Sequence, residues 1–77
     1  MTPFMTLLLR DFNDTTAKAI DAKYDELAAM YVNRNKYTNE ILMIALYALN
    51  IYHVNTPDGE MNTVQWANDF YARYLNV

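Results

Sequence analysis

The chain contains no cysteine and no serine, and only one histidine, one glycine and two prolines among its 77 residues. Without cysteine there is no disulfide, no thiolate metal site and no thiol nucleophile. Without serine, and with His53 as the sole imidazole, the Ser/His and Cys/His arrangements for nucleophilic catalysis have no members to draw on. The lack of cysteine also fits a reducing, cytoplasmic setting. Excess charge is equally scarce: nine acidic residues against six basic ones leave a net charge of −3. That balance suits solubility and works against phosphate-backbone binding.

Few glycines and prolines mean few enforced breaks, and no segment shows a sustained period-two alternation, so the expected fold is all-α. A single helical domain over residues 1–77 follows, in a size range where one hydrophobic core is barely sufficient. The first ten residues lack a basic start and a long apolar stretch, and are read as part of the folded domain rather than as a leader.

Local signals divide the chain into four helices, expected at about 3–12, 14–33, 38–54 and 62–76. Thr2-Pro3 is a capping residue followed by proline at the first helical position, with Phe4, Leu8 and Phe12 recurring every four residues. Asp14 is the expected cap of the second helix, whose apolar stripe is Ala17, Ile20, Tyr24, Leu27, Ala28 and Tyr31. Asn33 to Lys36 forms the expected reversal, because asparagine tolerates the left-handed backbone that stops a helix. Thr38 caps the third helix and Glu40 sits in its first turn. Thr56-Pro57-Asp58-Gly59 has the residue order of a type I turn, after which Asn62 caps the fourth helix with Gln65 three positions on. The stripe of that helix is Val64, Ala67, Phe70, Tyr71 and Tyr74.

The third segment dominates the sequence. From Ile41 to Val54 only Asn50 and His53 interrupt an apolar run of 14 residues, about 21 Å as a helix and short of the roughly 30 Å of a bilayer core. No membrane span is expected. On a helical wheel Ile41, Ile44, Ala45, Ala48, Leu49, Ile51 and Tyr52 share a broad face assigned to the core. Leu42, Met43, Leu46, Tyr47, Asn50, His53 and Val54 make up a second face, too apolar for open water and too polar for a dry interior. Either the first helix folds back over it or another chain covers it. Under the second option Leu42, Met43, Leu46, Tyr47, Asn50 and His53 are the partner-binding residues, with tyrosine and methionine suited to interface cores.

Other chemistry has little support. His53 with Asp58 and Glu60 lacks the spacing of a structured metal site. Asp11, Asn13 and Thr15 resemble the start of a calcium loop, but Thr16 and Ala22 stand where that loop needs glycine and a bidentate glutamate. A helix-turn-helix reading fails because the would-be recognition helix is the apolar one, and nucleic acid is not an expected partner. No cofactor is implied. A rival ligand site is the corner of Tyr31, Arg34, Lys36 and Tyr37, where aromatic faces and cations are placed to hold a nucleotide-like or other anionic small molecule. The leading expectation is a non-catalytic interaction protein that self-associates or binds a larger protein. A small acidic chain of this kind suits an inhibitor or regulator of phage or mobile-element origin.

Overall fold

The Thr2 hydroxyl accepts from the Met5 amide at 3.1 Å, and Pro3 opens helix α1, which runs Pro3–Asp11. A computed structural model describes residues 2–31, 37–56 and 58–75. Helix α2 follows at Asp14–Met30, and its cap is Asn13 rather than the expected Asp14: the Asn13 side chain accepts from the Thr16 amide at 2.8 Å. Asp14 lies instead in the first turn, where its charge favours the positive end of the helix and pairs with Lys18 at 3.0 Å. Tyr31 has already left the helix with extended backbone. The expected reversal at 33–36 lies outside the described residues.

Thr38 caps helix α3, Asn39–Ala48, by accepting from the Ile41 amide. The third helix is shorter than its sequence predicts. The helix stops at Ala48 and does not reach Val54, because Asn50 takes the left-handed backbone (φ 59). The Ile51 amide then bonds back to the Leu46 carbonyl at 2.8 Å and the Asn50 amide to the Tyr47 carbonyl at 2.9 Å. This pair of reversed bonds is a Schellman motif, with apolar Leu46 and Ile51 at its two ends.

The chain continues as an antiparallel hairpin, β1 at His53–Thr56 and β2 at Gly59–Asn62, in the register His53↔Asn62, Val54↔Met61, Asn55↔Glu60 and Thr56↔Gly59. The fold is therefore mostly helical with a two-stranded sheet, not all-α. Pro57 of the anticipated turn lies outside the described residues, but Gly59 has φ 117, a backbone state that favours glycine. Asn62 ends β2 and caps helix α4, Thr63–Leu75, by accepting from the Gln65 amide at 2.7 Å.

Helix α3 packs between α2 and α4, while α1 lies against α2, α4 and β1; no Cα of α1 comes within 8 Å of one in α3. The first helix therefore does not fold back over the third. Because α2 and α4 flank α3 on two sides, Ile41, Leu42, Ala45 and Leu46 are its buried residues, and Ile44, Ala48 and Tyr52 face out, reversing their wheel assignment. The core also takes Phe4, Leu8, Ile20, Tyr24, Val54, Trp66 and Phe70. Val64, expected on the α4 stripe, is 44% exposed, while Trp66 is fully buried.

One end of the molecule is an aromatic cluster. Phe4 stacks on Tyr37 at 4.3 Å and meets Tyr24, Phe70 and Tyr74 at 5.2, 5.5 and 6.3 Å. Such ring pairs add roughly 0.5–1.5 kcal/mol each beyond area burial. Tyr37 holds φ 64, a strained state for a bulky residue, and its stacking on Phe4 offsets that cost.

Candidate functional site

Three surface features stand out. The first is the outward side of α3. Ile44 and Tyr47 lie one turn apart on it and are 37% and 40% exposed; Tyr52, 47% exposed, brings its ring to 5.4 Å from that of Tyr47. The Tyr52 hydroxyl donates to the Asn50 side-chain oxygen at 3.0 Å. Helix α4 runs antiparallel alongside: Asn39 at the start of α3 donates to Asn68, and the Thr63 amide and hydroxyl bond the Tyr52 and Ile51 carbonyls past the end of α3. Val64, one turn before Asn68 on α4, is also exposed. No Asp, Glu, Lys or Arg occurs from Ile41 to Thr56.

The second feature is a cleft of about 550 Å³ between the α1–α2 corner and β1, lined by Asp11, Phe12, Asn13, Thr15, Thr16 and Ala19 on one side. Leu49, Ile51, His53, Val54 and Asn55 line the other. Its floor is apolar, from Phe12, Leu49, Ile51 and Val54, and its rim is polar. The His53 imidazole makes no hydrogen bond or ion pair among the described residues, which also contain no group of three or more metal-ligating side chains.

The third is a cavity of about 190 Å³ beside the Asp11 carboxylate, lined by Arg10, Asp11, Thr56, Asp58, Met61, Asp69 and Arg73. The Asp11 side chain is 2% exposed; it accepts from Arg10 at 3.1 and 3.3 Å and from the Trp66 indole at 3.0 Å. Arg73 approaches it at 3.5 Å as a charge contact, while the Arg73 Nε and Nη2 make no well-aligned hydrogen bond. With three aspartates against two arginines, this cavity is a poor anion receptor; its interactions tie α1 to α4.

The residues named from sequence are dispersed by the structure. Leu42 and Leu46 are 2% and 0% exposed and belong to the domain's own core, because α2 and α4 enclose that side of α3, so they cannot form a free contact face. Met43 is half-buried, Tyr47 and Asn50 lie on the outward surface, and His53 opens β1 at the cleft. Of the alternative ligand corner, Tyr37 packs its ring on Phe4, Tyr24 and Tyr74 and Tyr31 is exposed, while Arg34 and Lys36 lie outside the described residues. Sequence reasoning missed Ile44 and Tyr52 as surface residues, and the α1–α2 corner as a wall. The cue for the first was Asn50, the one residue of the run able to end the helix early.

Among the described residues no helix is long and apolar enough to cross a membrane. Comparison with known proteins finds no matching family model, no matching curated protein and no matching solved structure.

Proposed function

We propose that this chain is a non-catalytic protein-interaction module that pairs with a second copy of itself through the outward face of α3. The observation that carries the reading is the exposed, uncharged Ile44, Tyr47 and Tyr52 surface. A twofold contact brings residues near its axis close to their own counterparts, so a charged side chain there meets like charge. Ile44, Tyr47 and Tyr52 carry none; the one charge of α3, the exposed Glu40, stands a turn before Ile44 at the start of the helix. The Asn50 amide can both donate and accept, and so can meet its symmetry mate. Paired tyrosines on an exposed apolar patch are also more typical of interface cores than of ordinary surface. The lack of serine and cysteine supports the non-catalytic part.

Each side chain, already more than half covered, contributes about 1 kcal/mol on further burial, so the pairing is weak. Light scattering from about 10 µM to about 1 mM is the appropriate range. The mass is expected to rise from 9.0 kDa toward twice that value, and Tyr47→Glu to hold it at 9.0 kDa with an unchanged melting temperature. A constant 9.0 kDa for the natural chain across that range overturns the reading.

A further inference from the structure

The β1 edge of the hairpin has no hydrogen-bonded neighbour among the described residues. The Thr63 amide donates to the Tyr52 carbonyl at 2.8 Å, which makes Tyr52 and Thr63 a bonded pair continuing the β1–β2 ladder. Bonded pairs alternate along an antiparallel ladder, so Val54↔Met61 and Thr56↔Gly59 are the next two. His53 and Asn55 therefore direct their N–H and C=O groups away from β2. Those four backbone groups have no hydrogen bond among the described residues. The 550 Å³ cleft is bordered by residues of β1 and by none of β2, so it lies along this free edge.

Exposed strand edges are normally blunted by lysine, by an inserted proline, by a bulge or by a covering element. Here β1 carries no charged residue and no proline, and the α1–α2 corner stands across the cleft from it instead of on it. The opposite strand does carry a charge, Glu60. A strand of four residues is about 13 Å long, and a neighbour would lie about 4.8 Å away.

We propose that the β1 edge binds an extended segment of another protein as a third, antiparallel strand, with one apolar side chain seated in the cleft. The partner's backbone exchanges hydrogen bonds with His53 and Asn55. Its residue opposite Val54 shares the buried face of the sheet and therefore points at Phe12, Leu49 and Ile51. That residue must be apolar; its two neighbours lie beside His53 and Asn55 on the exposed face and are unrestricted in polarity. A second copy of this chain fits the edge less well. Its own α1–α2 corner flanks its β1, so symmetric pairing of two β1 strands drives the two corners together. A lone extended segment brings no such corner. This inference shares the view of the chain as a contact module but uses a surface separate from α3.

Selection of phage-displayed random decapeptides against the full chain tests it. Enriched peptides are expected to share one apolar position and to lack proline around it. In the synthetic form of an enriched peptide, N-methylation of the amides facing β1 should weaken binding at least tenfold, and N-methylation of the alternate amides should not. Asn55→Pro removes an outward N–H without touching the β1–β2 ladder and should weaken binding at least tenfold while the circular dichroism spectrum is retained. Should that variant misfold, amide exchange in the natural protein gives the same information: His53 and Asn55 become protected only when peptide is bound. No enrichment, or binding indifferent to N-methylation, overturns the proposal. Protection of His53 and Asn55 that rises with protein concentration in the absence of peptide assigns the edge to self-pairing and overturns it too. Tyr47→Glu should still bind peptide, so failure of the α3 pairing and failure of the strand site are read separately.

Discussion

The indole N–H of Trp66 donates to the carboxylate of Asp11 at 3.0 Å, joining the last turn of α1 to the first turn of α4 across 55 positions of sequence. Both side chains are almost wholly buried, and this bond supplies the polar partner that a buried indole requires. Asp11→Ala strands the indole donor and leaves the Arg73 guanidinium without its carboxylate, while Arg10, 47% exposed, can turn to water. The expected loss is about 2–4 kcal/mol in urea unfolding followed by circular dichroism. Asp11→Asn keeps an acceptor and should lose less. A change within about 0.5 kcal/mol for Asp11→Ala, the range of ordinary surface substitutions, removes Asp11 from the account of stability.

Tyr24 is fully buried, its hydroxyl makes no well-formed hydrogen bond, and burial pushes its pKa up from 10.0 to about 12. The unfolded chain therefore ionises at this residue first. Its contribution is fully present below pH 10.0 and is lost as pH rises toward about 12, where the folded form ionises too. The stability difference between the natural chain and Tyr24→Phe should be flat up to about pH 9 and should then turn against the natural chain by roughly 2 kcal/mol. At neutral pH the variant should be no less stable, since the hydroxyl it removes is poorly satisfied. Denaturation curves of both proteins from pH 7 to 12 decide the matter, and parallel curves throughout show that Tyr24 titrates alike in both states.

Asn13 takes the capping role that the sequence assigned to Asp14, and paired substitutions separate the two. Asn13→Ala removes the acceptor for the Thr16 amide and should cost about 1 kcal/mol. Asp14→Ala removes an exposed pair with Lys18 and should cost a few tenths. Equal losses in thermal or chemical unfolding contradict the capping geometry described above.

Asn50 stands where α3 ends, with φ 59. Glycine accepts that backbone without strain and alanine does not. Asn50→Gly should lie within about 0.5 kcal/mol of the natural chain, and Asn50→Ala should cost about 1 kcal/mol. If alanine is tolerated as well as glycine, α3 can run on and the stop does not depend on this residue.

Much of the helical framework was legible. Thr2 with Pro3, Thr38 with Ile41, and Asn62 with Gln65 are local signals, and each forms the expected cap. Length and face of the third helix were not legible, for one physical reason. An apolar run reads alike as helix or as buried strand, and an asparagine inside it reads alike as helical or left-handed until the Leu46 and Tyr47 carbonyls are seen to accept from Ile51 and Asn50. The hairpin escaped notice because four residues per strand give Val54 as the only deeply buried side chain, too little for an alternation to show. Local pattern could not reveal the cleft either: its walls come from residues 11–19 and 49–55, far apart in sequence.

The ring cluster around Phe4 has a consequence for synthesis. Its members come from residues 4, 24, 37, 70 and 74, so Phe4 can meet Tyr24 and Tyr37 early but completes its ring contacts only when α4 exists. A nascent chain halted at the hairpin would hold Phe4, Leu8 and Tyr24 with a large part of their cover missing. The first helix is therefore expected to settle fully only after residues 70–74 have emerged to pack on Phe4.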